Sequence, residues 1–494
     1  MEFSVLRRKY TELCYESYTS RLQPEGLELS FHYRLTAADG GSIAFVHSIR
    51  YQLMEGGKAV PLPLAAERLK ELENLIFQIG LAETINYWKL ACPPRLRIAC
   101  GRLRPEAAAF WQKLYYNGLG EFIYINGIHR LTPAVTPENW LEMVSSGSQP
   151  LPPVSGQDLC GTLIPVGGGK DSVVSLELLR PEAADNLPFV MSAPQAAYDC
   201  IAIAGYDRYL QAERRLDPQL LRLNGEGYLN GHVPFSAILA FIAALGAALT
   251  HKRYIALSNE KSANEPSVPG TMFNHQYSKT VEFERDFTTY FKGIMPEIKY
   301  FSLLRPLYEI EIGQAFAGYP AYHSVFRSCN RGKKTNVWCG HCPKCLFVYI
   351  ILSPYLEREK LKQIFGRDLL ADEELWPVLR ELLGLAETKP FECVGTIWEV
   401  RYALAKAASR YGYSIGGADT PALIEAFLKA DLPPAKPDEN YEAGDCLPEQ
   451  FRGRVERLHE LHFRPTASQF AYRSRPSPKG IAFLEATSLR KLSY

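Results

Sequence analysis

The chain has 494 residues, with 55 Lys and Arg against 54 Asp and Glu for a net charge of +1. That length exceeds one ordinary hydrophobic core, so two or three domains are expected. The balance of charge excludes a protein drawn to nucleic acid by its overall field, and 22% charged residues fit a balanced soluble protein. Met1 to Arg8 has no apolar stretch of a secretory signal, so the expected location is the cytoplasm. Residues 1–155 are expected to form an N-terminal α+β domain. Leu27 to Leu35 alternates like a half-buried strand and Ser42 to Leu53 gives a second. Leu62 to Ile79 has helical spacing, with Gly80 placed to end it. Gln149 to Asp158 is rich in Pro and Gly and reads as a linker.

A second domain is expected over residues 156–352, and from about 159 to 310 it alternates strand and helix. The expected strands are Leu163 to Val166, Phe189 to Ser192, Leu220 to Leu223, Tyr254 to Ser258 and Tyr300 to Leu304, with a long helix from Val233. The apolar run from Phe235 to Leu249 is broken by Ser236 and Gly246 and falls short of the ~20 residues a membrane span needs, so it reads as a buried core helix. Such alternation implies an α/β fold with a parallel sheet covered on both faces. Ligands then sit beyond the carboxyl ends of the strands. Residues 353–494 are expected to be mostly helical, over Glu357 to Ile364, Glu373 to Leu385 and Ile397 to Arg410. Leu432 to Asn440 reads as a loop, and a basic, weakly patterned tail follows Phe463.

The most telling segment follows the first strand of the second region: Gly167, Gly168, Gly169, Lys170, Asp171 and Ser172, opening an apolar-periodic helix. Glycines let backbone N–H groups approach a phosphate, and a helix start adds partial positive charge. The order fits neither the dinucleotide nor the Walker pattern. It resembles the S-G-G-x-D-S loop of the ATP pyrophosphatase (PP-loop) superfamily, with Gly167 in place of the leading serine. That resemblance implies a PP-loop sheet, cleavage of ATP between the α- and β-phosphates, and an adenylated substrate. It makes Gly167 to Ser172 the pyrophosphate site, with Lys170 and Ser172 on the phosphates and Asp171 on Mg²⁺ or capping the loop.

Three polar segments follow later strands. Asn224 to Pro234 is glycine-rich and carries Asn230 and His232, fitting either a site lining or a capped turn. Asn259 to Glu265 places Asn259, Glu260, Lys261 and Glu265 past a strand, where ATP, Mg²⁺ or substrate is expected. Asn274 to Glu282 opens a helix and contains His275, an acid/base candidate by chemical type, with a structural histidine as the alternative.

Cys329, Cys339, Cys342 and Cys345 form a C-x9-C-x2-C-x2-C run. Four thiolates predict a closed structural Zn²⁺ site, with an iron–sulfur cluster as the alternative. Arg327, Arg331, Lys333, Lys334 and Lys344 surround them, offsetting the thiolate charge or binding a polyphosphate. Cys393, in Lys389-Pro-Phe-Glu-Cys-Val-Gly395, is either a proton-transfer thiol or a buried small residue.

A cysteine cluster after a PP-loop core resembles 7-cyano-7-deazaguanine synthase, a shorter enzyme, which keeps open a ligase acting on a nucleobase or RNA. A nucleotide-binding regulator without chemistry is a third reading. The segments taken jointly, from Gly-Gly-Gly-Lys-Asp-Ser and Asn-Gly-His-Val-Pro through Leu-Ser-Asn-Glu-Lys-Ser-Ala-Asn-Glu and Asn-His-Gln-Tyr-Ser-Lys to Cys-Gly-His-Cys-Pro-Lys-Cys and Lys-Pro-Phe-Glu-Cys-Val-Gly, look like those of one family. They resemble the ATP-dependent UDP-N-acetylmuramoyl-L-alanyl-L-glutamate epimerases of bacterial peptidoglycan synthesis, over residues 20 to 465. The resemblance implies a UDP-MurNAc-dipeptide substrate, ATP and Mg²⁺, and neither a nucleic-acid nor a membrane partner. It also implies that His275 or Cys393 moves protons, with His232 in reserve, and that residues 1–155 help hold the UDP-sugar.

Overall fold

Alternating apolar residues in the N-terminal region build long antiparallel strands. A computed structural model describes residues 1–131, 134–147, 149–156, 158–433 and 446–462. The strands are β1 Tyr10–Gln23, β2 Gly26–Ala37, β3 Ser42–Glu55, β4 Lys58–Val60, β5 Arg95–Ile98, β6 Glu142–Ser145, β7 Thr162–Pro165, β8 Leu187–Met191, β9 Arg208–Arg215, β10 Tyr254–Leu257 and β11 Lys299–Ser302. They form one mixed sheet in the order β11-β10-β7-β8-β9-β3-β2-β1-β5-β6, with β4 beside β3. Strands β11, β10, β7, β8 and β9 run parallel to one another. β3 pairs antiparallel with β9, so strand pairing crosses the expected boundary at residue 155.

The inner parallel strands β7, β8 and β10 are largely apolar because successive residues enter two different cores. Leu163, Phe189, Ile255 and Tyr300 pack on one face with the helix Phe235–Leu249. Ile164, Val190, Ala256 and Phe301 pack on the other with the helices Lys170–Leu178 and Gln195–Ile203. Among the described residues no helix is long and apolar enough to cross a membrane. The C-terminal region is helical over Arg358–Phe365, Trp376–Leu382 and Ile397–Tyr411.

Two sequence expectations are overturned. Leu220 to Leu223 is not a strand but part of the helix Gln219–Gly225, started by Asp217, whose Oδ1 accepts from Gln219 N at 2.9 Å. A four-residue apolar run fits either element, and here the Asp217–Pro218 turn before it leads into a helix. The strand itself is β9, Arg-Tyr-Leu-Gln-Ala-Glu-Arg-Arg, whose charged residues hide its alternation. Nor does Gly80 end a helix: Glu73–Trp88 runs through it. A Cβ there would lie 2.0 Å from Tyr15 Oη, so Gly80 serves close approach of the helix to the sheet. The tail after Phe463, and the expected 432–440 loop from residue 434 on, lie outside the described residues.

Candidate active site

β7 delivers its glycines to the start of the helix Lys170–Leu178, and no side chain caps that helix. The first-turn N–H groups are therefore open to an anion. Gly168 has φ +84°, and its carbonyl accepts from Arg327 N at 2.8 Å, which lays the cysteine-rich segment along the loop. Ser172 Oγ donates to Gly169 O at 2.9 Å. Ser328 Oγ is buried without a partner, and a Cβ on Gly169 would lie 3.2 Å from Ser328 Cβ.

Beneath the loop three carboxylates meet two ammonium groups. Lys170 Nζ, with a side chain 1% exposed, binds both Asp171 and Glu309. Its charge is thus engaged by carboxylates rather than presented to solvent. Burial, then the charge of Asp171, pushes the Glu309 carboxyl up to about 8. Asp171 is held below the usual range because Lys170 and Lys344 outweigh its burial. Glu260 is buried, and its Oε2 has no hydrogen-bond partner. Lys279 faces Cys393, Glu260, Asp171 and Glu309, whose charges outweigh burial and raise its pKa. Buried Arg305 fixes the backbone here, donating to Glu260 O at 2.8 Å and Lys279 O at 2.6 Å.

Cys393 and His275 come together from distant parts of the chain. Gln276 Nε2 donates to Val394 O at 3.0 Å, and Lys344 Nζ donates to Cys393 O. His275 Nδ1 donates to Glu121, and Cys393 lies near enough to His275 for each to shift the other's pKa. Burial pushes the Cys393 thiol up, but Lys279, His275 and Lys344 bring it down to about 6. Burial pulls His275 down, but its bonds to Cys393 and Glu121 hold it at about 9. Between those values the pair is a thiolate beside an imidazolium. The ring of His232 lies 4.1 Å from that of His275, and burial and His275 keep it neutral.

Other expected residues are engaged in the scaffold. Asn259 Nδ2 donates to Ser302 Oγ at 3.0 Å, joining the ends of β10 and β11. Glu265 binds Lys389 at 3.0 Å and Ile397 N at 3.1 Å.

The four cysteines are brought together. Their sulfurs lie within 4.8 Å of one another, with Cys329–Cys342 at 3.8 Å, Cys339–Cys345 at 3.7 Å and Cys342–Cys345 at 3.5 Å. A tetrahedral ion with Zn–S bonds of ~2.3 Å needs sulfurs ~3.8 Å apart, so the donor set fits Zn²⁺.

Sequence reasoning missed Glu121, Lys279 and Glu309. Glu309 opens the helix Glu309–Ala317 just past β11, where the strand-end rule applies. Lys279 stood unremarked beside His275. Glu121, on the helix Gly120–Ile125, carries no sequence signal.

The family model for the MurL N-terminal domain matches residues 6–303, and that for the MurL C-terminal domain matches 325–423. A UDP-N-acetyl-alpha-D-muramoyl-L-alanyl-L-glutamate epimerase of Salinispora tropica is 38% identical, over 81% of this chain and 85% of its own. Proteins of the same name from Micromonospora sp. and Xanthomonas oryzae pv. oryzae are 37% and 34% identical, over 78% and 77% of this chain and 84% and 83% of theirs. No solved structure gives a significant match. With both halves matched and a relative at 38% identity over most of its length, the chain belongs to the MurL epimerase family.

Proposed function

We propose that the protein inverts the terminal L-glutamate of UDP-MurNAc-L-Ala-L-Glu through an acyl-adenylate made from ATP, releasing AMP, pyrophosphate and the D-glutamyl product for peptidoglycan synthesis. The observation that carries this reading is that Lys344 Nζ donates to the carbonyl of Cys393, and Lys344 and Lys279 act electrostatically on both Cys393 and Asp171 of the glycine loop, so the pair and the loop share one site. A ligase acting on a nucleobase would share the loop and the four cysteines, but does not call for a thiolate–imidazolium pair.

The α-proton of a glutamyl carboxylate is a very weak acid, because its removal builds a second negative charge beside the first. Adenylation cancels that charge and leaves a carbonyl able to accept the electron pair. The uncapped helix and the open N–H groups of Gly167 to Gly169 hold the ATP phosphates, within a PP-loop arrangement of β7 and its neighbours. Asp171, Glu260 and Glu309 are oxygen ligands of the type Mg²⁺ takes, and the unpartnered Glu260 Oε2 fits that role. Mg²⁺ there offsets phosphate charge. Thiolate Cys393 takes the α-proton from one face and imidazolium His275 gives a proton to the other, so the α-carbon enters by separating the pair. Water then attacks the acyl carbonyl and expels AMP, freeing the D-glutamyl carboxylate, and turnover leaves a thiol and a neutral imidazole. Once product leaves, return of the proton from sulfur to nitrogen resets the enzyme.

The test is incubation with ATP, Mg²⁺ and the dipeptide substrate in D₂O. Deuterium at the glutamyl α-carbon with stoichiometric AMP supports the proposal; ADP in place of AMP sinks the adenylation step. A second expectation concerns pH. Thiolate is lost as pH falls through about 6 and imidazolium as pH rises through about 9, so kcat/KM for exchange is bell-shaped with limbs near those values. Activity that keeps climbing past the upper limb removes His275 as the acid.

Zn²⁺ at the four cysteines holds the chain from 329 to 345 under the glycine loop. Cys342→Ser is expected to lose the metal, measured as zinc per chain. It is also expected to cost on the order of 3 kcal/mol, lowering Tm by roughly 5 °C. Wild-type protein purified without metal and equally stable would count against the centre.

A further inference from the structure

We propose that Glu121 is the positioning residue of the proton-transfer pair: its carboxylate, brought from the N-terminal region, holds the Nδ1–H of His275 and so fixes the ring's orientation and leaves Nε2 to exchange the proton. The inference rests on the reading of Cys393 and His275 as the groups that move protons, and it adds the residue that fixes how they face each other.

The placement of Glu121 is built. Its side chain is 12% exposed and that of His275 10%, so the contact is largely shielded from water. The short helix that carries it is gripped on two sides. Gly120 abuts the backbone of Phe273 and Asn274, the residues before His275, where a Cβ would come within 3.5 Å. Gly231, at φ +154°, lets the His232 segment lie against Phe122, where a Cβ would come within 3.1 Å. Asn126 Nδ2 ties the same segment by donating to Asn230 O at 3.1 Å, and Lys89 Nζ donates to Gly231 O at 2.5 Å. Glu121 therefore cannot move away without displacing the chain around both histidines.

An imidazole that must donate from one nitrogen needs the other held, because a neutral ring can carry its proton on either. A carboxylate on Nδ1 settles the tautomer and stabilises the cation that the donor step requires. The charged and titratable groups facing His275 are Glu121, His232 and Cys393. Those facing Cys393 are Lys279, His275 and Lys344. Glu121 is the carboxylate among them, and its loss leaves His275 with the neutral His232 ring and the Cys393 thiolate.

The test is an NMR titration of ¹⁵N-histidine-labelled protein, with His275 assigned by comparison with His275→Asn. In the wild type the ring is doubly protonated at neutral pH and titrates near 9. In Glu121→Gln the midpoint falls by at least about one pH unit, a tenfold change in the protonated-to-neutral ratio. Glu121→Asp restores most of it. The upper limb of the exchange profile moves down with it in Glu121→Gln, whereas a merely structural role would lower the whole profile without moving the limb. An unchanged midpoint in Glu121→Gln overturns the proposal. So does a neutral His275 in the wild type at neutral pH, a measurement that needs no variant to fold. The titration needs no substrate, so a wild-type enzyme that fails to exchange the α-proton would sink the proton-transfer reading while leaving the Glu121–His275 contact to stand or fall separately.

Discussion

Replacing Cys393 with alanine is expected to slow glutamyl α-proton exchange by about 10²–10⁴-fold, the range that a positioned acid or base contributes, while ATP is still turned over to AMP. The two outcomes separate because the thiol and the glycine loop rest on different supports. Cys393 is held by Lys344 on its carbonyl and by Gln276 on the carbonyl of Val394. The loop is held by Arg327 N on Gly168 O and by its own helix. Removing one sulfur atom leaves both backbones in place. Cys393→Ser sharpens the test: it keeps the volume but replaces a thiol whose pKa sits near 6 with a hydroxyl that stays protonated at any working pH. If charge on sulfur is what matters, serine fails nearly as badly as alanine. Alanine protein that washes deuterium into the substrate at the wild-type rate would remove Cys393 from the reaction, and would leave His232 and Lys279 as the nearest groups to try.

The parallel strands were legible in sequence because they are buried on both faces and read as plain apolar runs, as Leu163 to Val166 and Tyr254 to Leu257 do. β9 was not, because Arg208, Glu213, Arg214 and Arg215 sit on an alternation whose inward residues are few. The same contrast runs through the site. The glycine loop and the four cysteines are local motifs, complete within a short stretch of chain, and the structure brings each together. The pairing of Cys393 with His275 spans more than a hundred residues, and what selects it is tertiary: Gln276 bound to Val394, Lys344 reaching from between two cysteines to Cys393 O. Residue type alone gave each of the two a bland alternative, a buried thiol and a structural histidine. Glu121 and Glu309 were harder still, since a carboxylate on a helix has a solvated face as its default and only the partner it meets, His275 or Lys170, says otherwise.

Gly168→Ala and Gly167→Ser, one position apart, are expected to act in opposite ways. Gly168 holds φ +84°, and a Cβ there would lie 2.6 Å from Ala197 N and 2.8 Å from Ala196 C, backbone atoms at the start of the neighbouring helix. Alanine pays about 1–2 kcal/mol for the left-handed backbone and must also push the loop off that helix. The loop N–H groups, which in the proposed function hold the phosphates, then move by a fraction of an ångström or more, and misplacement on that scale costs on the order of 10²-fold. Steady-state AMP formation is the readout, with kcat/KM for ATP expected to fall by that factor while zinc content per chain stays as in the wild type. At Gly167 a Cβ meets nothing within 4 Å, and its φ lies outside the left-handed region. Serine, the residue that the PP-loop pattern carries there, is therefore accommodated, and its hydroxyl adds a donor beside the open N–H groups. ATP KM is expected to stay level or fall. Gly168→Ala at wild-type efficiency, or Gly167→Ser as damaging as its neighbour, would mean that the phosphates do not lie on this loop. The glycine in place of serine would then mark a turn that needs to be small rather than a phosphate cradle short of one contact.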